Sequence, residues 1–316
     1  MYEQISKNKR LSYVLIVVMT AFLIVVGYII GFAVTGSGWV GLVIAVVIAV
    51  AMSLTGYFKG DKIALATSHA RLVTHDEAPQ LFNVVEEMSI ASGNPMPAVY
   101  IIPDSAPNAF ATGRSPDKSS IAVTEGLIEK MNREELQGVV AHEMSHVRNY
   151  DILFATLVGV MVGAIALMAD FFLRWSFFGG SRRSSNDNSG WIGMALMIMA
   201  LVLAILAPIA ARMVQLAISR KREYLADASA VELTRNPTGL ANALQKIADD
   251  EEVLEVANRA TAHLYIAQPI KKFEKRSRGL FDTHPPIQDR INILRAMAHQ
   301  GPVEDRPAAE QPSPAQ

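Results

Sequence analysis

The 316-residue chain contains no cysteine. Disulfides, thiolate metal ligands and a cysteine nucleophile are therefore excluded, and the redox compartment stays open. A surplus of one charge sign is missing as well. The 29 basic residues face 30 acidic ones, a net of −1, so no global field points to nucleic acid. No internal repeat is present. Charge itself is absent over one long stretch: between Arg10 and Lys59 lie 48 uncharged residues, Leu11 to Phe58. With 51% hydrophobic residues gathered into such blocks, the composition points to a membrane rather than to an ordinary soluble enzyme.

A helix needs about 20 residues to cross a bilayer, so the first block has room for two crossings. They are expected over about 11–34 and 39–58, with Thr35 to Gly38 as the turn and Trp39 and Tyr57 at interfacial positions. A signal peptide would be shorter and would end in an A-x-A-like site before a polar start, which is not the pattern here. Two later apolar blocks, 152–173 and 191–211, also meet the spanning length. Buried helices of a large domain share that composition.

The polar stretch between these pairs carries recognisable signals. EAPQLFNVVEEMSIASG reads as a helix with Leu81, Val84, Val85 and Met88 on one face, closed by Gly93. AVYIIP and SSIAVTEG read as short strands, and SAPNAFATGRSPDK between them as a loop. NREELQGVVAHEMSHVRN opens with Asn132 as N-cap and Glu135 three residues later, a capping box that predicts a helix. Further on come a polar helix from Arg212 to about Thr234, another near Leu240 to Val256, and a basic run from Lys271 to Arg278. That run reads as a solvated loop, with contact to anionic headgroups as the sharper alternative. An amphipathic helix follows the prolines of THPPIQDRI.

On the helix of the capping box, His142 and His146 are four residues apart, about 40° round and one turn up. Two imidazoles so placed can chelate one tetrahedral metal ion. Glu143 sits about 100° round, within reach of a water on the metal but poorly placed as a ligand. Zinc takes a third protein ligand and keeps a position open for water. Glu223 and Asp227 offer carboxylates at i and i+4 on another helix. One reading has Glu223 bind the metal while Asp227 accepts the N–H of a ligating imidazole. The other has both pair with Arg220, Lys221 and Arg222 on an exposed surface. His69, His75, His263 and His299 have no partner spacing and read as surface residues.

Taken together, AHEMSHVRNYD, SRKREYLADASA, PNAFATG, VTEGLIEKMNREEL and THPPIQDRI resemble the HtpX family, bacterial membrane-bound zinc metalloproteases related to the CAAX prenyl proteases. The similarity runs over nearly the whole chain and stops before the tail. It implies His142, His146 and Glu223 as ligands of one zinc ion per chain, Glu143 as the catalytic base, and Asp227 as the carboxylate behind a ligating histidine. SAPNAFATG is similar to the family's edge strand beside the active site. There Asn108 would hydrogen-bond substrate backbone, and Ala109 and Phe110 would shape the groove. His284 and Arg290 fit the place of transition-state stabilisers in relatives. Read without the resemblance, His284 starts a helix and Arg290 pairs with a carboxylate.

His142 and Glu223 must share one ion, so the segment between them crosses the bilayer an even number of times, which its two apolar blocks allow. Lys7, Lys9, Arg10, Lys59, Lys62, Arg148, Arg212, Arg220, Lys221 and Arg222 fall on one side, outnumbering Arg174, Arg182 and Arg183 on the other. That bias puts the site on the cytoplasmic side of a bacterial inner membrane. The expected fold is mainly α: a four-helix integral membrane protein with a zincin-like metalloprotease domain of α+β type carrying a small β-sheet. Residues 1–58 form the first transmembrane hairpin and 152–211 the second. Residues 59–151 and 212–300 build the catalytic domain, and 301–316 are a disordered tail. The expected function is zinc-dependent endoproteolysis of misfolded or damaged membrane proteins or other unfolded polypeptides, in protein quality control. The alternatives are a processing protease of the prenyl-protease type and a zinc-stabilised membrane scaffold without catalysis. The lipid bilayer is the expected partner and nucleic acid is not. Nothing in the sequence specifies an oligomeric state.

Overall fold

The computed structural model describes residues 2–35, 38–163, 220–257, 261–267 and 285–298. Two long helices come first, α1 (Tyr2–Thr35) and α2 (Gly38–Thr67), lying side by side. Thr20 and Ser53 join them through a 2.8 Å hydrogen bond between hydroxyls. Both helices outrun the uncharged block, because the polar residues at 2–10 and 59–67 are tolerated by a helix and continue it. Their apolar side chains face outward: Val14, Val17, Val43, Val47 and Leu54 are each more than half exposed. Among the described residues, Leu42–Thr67 is the segment long and apolar enough to cross a bilayer. Of the expected second pair, only the start is described, as α6 (Asp151–Gly163); the span expected at 191–211 lies outside the described residues.

The rest is mostly helical around a small mixed sheet. Strands β1 (Arg71–Leu72), β2 (Ala98–Ile102), β3 (Ala109–Ser115) and β4 (Lys118–Thr124) lie in the order β1-β2-β4-β3. The β2–β4 pair is parallel and the other two are antiparallel. Strand β3 falls in the stretch whose residues read as a loop, and it takes the edge position that the resemblance implied for SAPNAFATG. Its flanking Pro, Asn and Gly residues suggest turns, but pairing with β4 overrides that local preference. Gly113 sits at an irregularity in this pairing with φ of 142°, and a Cβ there would lie 2.3 Å from the Lys118 carbonyl. Only glycine fits such a position without strain.

Side chains alternate across the sheet. Val99, Ala109, Ala111, Ile121 and Val123 join the main core with α3 (Pro79–Ser92) and α5 (Arg133–Arg148). Ile102, Phe110 and Ala122 point the other way, onto Ala64 and Leu65 of α2. The C-terminal end of α2 is thereby bolted to the sheet while its middle stays uncovered. A short helix, α4 (Glu125–Lys130), links β4 to α5, with Thr124 as its N-cap.

Helix α5 is the centre of the molecule, in contact with α3, with β3, and with α7 (Arg220–Thr234) and α8 (Pro237–Asp249). The capping box forms: the Asn132 side chain accepts from Glu135 N–H at 2.9 Å, and Glu135 accepts from Asn132 N–H at 2.8 Å. Leu136, Val139, Val140, Met144 and Val147 are buried, each contributing on the order of 1.5–3 kcal/mol. Gly138 lets α8 come close, since a Cβ there would stand 2.6 Å from the Leu240 nitrogen. After Arg148 the chain bends through Asn149 and Tyr150, the latter at φ of 59°, and starts α6. Helix α9 (Ile287–Met297) closes the core with Arg290, Ile291 and Leu294.

Candidate metal centre

The 3.6-residue period sets His142 and His146 on one face of α5, and the buried stripe Glu223, Ala226, Asp227 and Ala230 of α7 lies against that helix. Alanines in the stripe allow the two helices to approach. The His142 and His146 Nε2 atoms are 3.2 Å apart. Glu223 Oε2 lies 3.7 Å from the first and Oε1 3.7 Å from the second. Neighbouring ligand atoms around a tetrahedral zinc with bonds of about 2.0–2.1 Å are about 3.3–3.4 Å apart. The three donors thus have the spacing of one ion's coordination shell, and among the described residues they are the group of three that can hold a metal.

Each imidazole is held from behind by a carboxylate. His142 Nδ1 is 2.9 Å from Asp227 Oδ1, and His146 Nδ1 is 3.1 Å from Asp151 Oδ2. With each Nδ1–H donated to a carboxylate, both Nε2 atoms present lone pairs toward Glu223. Three converging lone-pair donors repel one another until a cation lies between them, which is the chemical fit for a metal. The carboxylates are buttressed in turn. Arg290 grips Asp227 with Nε at 2.8 Å and Nη2 at 2.7 Å, and Arg222 Nη1 stands 3.3 Å from Asp151 Oδ1.

The metal-free electrostatics follow from burial and these pairings. Burial raises the Glu143 carboxyl to about 7, further aided by the charge of Glu223, against the pull of His146 and an Ala111 N–H bond. For His146, burial works toward the neutral form, but Asp151 and Glu223 outweigh it and push the ring up to about 9. Burial depresses His142 more than Asp227 raises it. Asp227 would be raised by burial, yet Arg290 holds it down at about 2. Asp227 therefore stays an acceptor at any ordinary pH.

Arg290 is 1% exposed, and besides Asp227 it donates from Nη1 to the Ile266 carbonyl at 3.1 Å. The carboxylate-pairing alternative for this residue is the geometry found. His284 lies outside the described residues. Asn108 turns its amide inward: Nδ2 donates to the Ala267 carbonyl at 3.1 Å and Oδ1 accepts from Ala109 N–H at 3.1 Å. Ala109 accepts from Ile266 N–H at 2.9 Å, so this end of the edge strand pairs with the protein's own chain. Phe110 points to the sheet's far face, edge-on to Tyr265 with centroids 5.1 Å apart. Strand alternation makes Ala111, not Phe110, the side chain that borders the metal centre. His263, expected on the surface, is buried at 7% exposure with Nε2 2.9 Å from the Ala155 carbonyl. Sequence reasoning assigns neither Asp151 nor Arg222 a role here. The sequence signals for Asp151 are its place nine residues after the first histidine and its position at the end of AHEMSHVRNYD.

Ala111, His142, Glu143, Ile152, Tyr265 and Ile266 are among the residues lining a cavity of about 40 Å³ over the triangle. That is room for an ion and a water or two.

Residues 75–298 match the model of peptidase family M48. Among the most similar relatives is a protease HtpX homologue of Streptococcus agalactiae serotype III (strain NEM316), 45% identical over 297 residues, 94% of this chain and 100% of the relative. Another is a protease HtpX homologue of Listeria monocytogenes serotype 4a (strain HCC23), 45% identical over 304 residues with the same coverage, 94% and 100%. The crystal structure of Ste24p from S. mikatae overlaps 93% of this chain and 67% of its own, at 18% identity and a TM-score of 0.47, too loosely to carry any argument. Since the family match spans both helices that supply the triangle, and the relatives align over nearly the whole chain, this protein belongs to peptidase family M48 and is a metalloprotease.

Proposed function

We propose that the chain is a membrane-embedded, zinc-dependent endopeptidase of the HtpX type that degrades misfolded or damaged membrane proteins. His142, His146 and Glu223 hold one zinc ion, which when bound polarises a scissile carbonyl and acidifies a water. Glu143 takes the proton of the attacking water and passes it to the leaving amine. The observation that carries this reading is geometric: the buried Glu143 carboxyl stands beside His142, His146 and Glu223, three donors whose ligand atoms lie within 4.8 Å of one another. A purely structural site would close all four positions with protein ligands. Asp227 orients His142, and Arg290 keeps Asp227 charged. His284 is proposed as the stabiliser of the tetrahedral oxygen, because Arg290 is already spent on Asp227.

The membrane part rests on the outward apolar faces of α1 and α2, since a soluble monomer rarely exposes such a contiguous surface. The bias of lysine and arginine supports a metal centre on the cytoplasmic side. His146 precedes the apolar α6 by only five residues, which supports a metal centre close to the membrane and within reach of membrane proteins. Residues 152–211 are taken to supply the second pair of crossings.

The test compares detergent-purified wild type with Glu143→Gln on a membrane-protein substrate and on casein, with zinc content measured on the same samples. Retained zinc with cleavage lowered by a factor on the order of 10² to 10⁴ is expected. Unchanged turnover would sink the assigned base, and loss of zinc from the variant would sink the division between ligand and base.

A further inference from the structure

The support behind His146 does not end at Asp151. Asn8, on the first turns of α1 and only 1% exposed, donates from Nδ2 to Asp151 Oδ1 at 2.6 Å and to the Asn149 carbonyl at 2.9 Å. The other oxygen of the same carboxylate, Oδ2, faces His146 Nδ1. The two Asp151 oxygens are thus divided, one toward α1 and Arg222, the other toward the imidazole. One residue further along α1, Lys9 places its Nζ 3.9 Å over the centre of the Tyr150 ring. Tyr150 carries the positive φ of the bend between α5 and α6. Ser12, fully buried, donates back to the Asn8 carbonyl at 2.9 Å and keeps this turn helical.

We infer that Asn8 is a positioning residue of the metal centre, so that α1, remote from it in sequence, sets the orientation of His146 through Asp151. A carboxylate with one oxygen fixed by two donors cannot rotate freely. Its second oxygen then holds the imidazole with Nε2 turned to the triangle. Groups behind a metal ligand typically change metal affinity by 10–100-fold when removed. Asn8 stands one bond further out than Asp151, so its removal belongs at the lower end. The inference rests on the proposed role of His146 as a zinc ligand.

The experiment titrates full-length protein in detergent with zinc against a competing chelator, and records the absorption spectrum of the cobalt-loaded form. Asn8→Ala is expected to weaken zinc binding about tenfold and to change the cobalt spectrum. Asn8→Asp, equal in shape but without the donors, is expected to lose at least as much. Lys9→Gln loosens the same turn of α1 without touching Asp151 and is expected to bind zinc as wild type does. Asn8→Ala added to Asp151→Ala is expected to weaken binding no further than Asp151→Ala alone. Wild-type affinity in Asn8→Ala overturns the inference. So does an equal loss in Lys9→Gln, which would make Asn8 a plain docking contact, or a full additive loss in the double variant. A wild-type protein that binds no zinc overturns the zinc reading and this inference with it.

Discussion

Helices α2 and α5 solve opposite problems. Along α2, apolar side chains such as Val43, Val47 and Leu54 face outward, and the part of Leu42–Thr67 that could cross a bilayer is only 12% buried. Along α5, polar groups face inward: His142 and Glu143 are 0% and 2% exposed. Each helix reverses the rule of apolar inside and polar outside, and each reversal has a physical reason. Outward valines cost nothing when the surrounding medium is hydrocarbon. Inward histidines and carboxylates are tolerable when every charge meets a partner, as in the pairs of His142 with Asp227 and of Asp227 with Arg290. Where α1 and α2 meet α6 and the bend before it, several contacts are small or polar. Gly60 of α2 would bring a Cβ within 2.8 Å of Thr156 on α6, and Asn8 and Ser12 of α1 are buried beside the bend.

The contrast can be broken at several points, the largest effect coming from the inward charges. Arg290→Met strands Asp227 in the core without a counter-charge. It is expected to cost about 3–5 kcal/mol in denaturant unfolding, and a neutral result would show that the network does not depend on pairing. On the outward side, Val47→Asp puts a charge on the exposed face of α2. If that face meets lipid, insertion is disfavoured by about 2.5–3.5 kcal/mol, read as loss from the membrane fraction. If it meets water, the change stays within about 0.5 kcal/mol and the comparison fails. Gly138→Ala probes the helix crossing beneath the metal centre. The added Cβ, 2.6 Å from the Leu240 nitrogen, is expected to cost about 1–3 kcal/mol in the same unfolding assay.

A further effect is one of pH. His146 rises from 6.5 to about 9 in the folded metal-free protein, so its protonated form favours the fold. That contribution is complete below about pH 6.5 and is lost as pH climbs through about 9. Melting of chelator-treated protein should decline across that window, whereas the zinc-loaded protein, whose metal has displaced the proton, should not show the decline. A flat metal-free profile would mean that Asp151 and Glu223 do not act on the ring as their distances imply.

Much of the centre is legible in the amino-acid sequence. The four-residue spacing of His142 and His146 and the capping box at Asn132 and Glu135 depend on neighbours along one helix, and local geometry decides them. The helix closed by Gly93 forms over Pro79–Ser92 for the same reason, Gly93 taking φ of 69°. Strand β3 is legible only through the resemblance, which implied an edge strand there; its own residues read as a loop, because a strand rich in alanine and glycine is specified by its partner β4 rather than by itself. Resemblance puts Asn108 and Phe110 in the groove, yet strand alternation and the pairing of Ala109 with Ile266 turn both to internal work. His263 reads as a lone surface histidine because burial is set by the segment it sits on, not by its neighbours in sequence.

By itself the sequence determined which residues could share a helix face, where a chain without charge is long enough to span a bilayer, and which atoms are fit to hold zinc. Tertiary structure alone decided that Asp227 backs His142 while Asp151 backs His146, and that Arg290, Arg222 and Asn8 stand behind those carboxylates. The reason is range. A period of 3.6 residues is written in adjacent positions, whereas Asn8 and Asp151 are 143 residues apart and meet only because α1 packs along the bend that carries the metal helix onward.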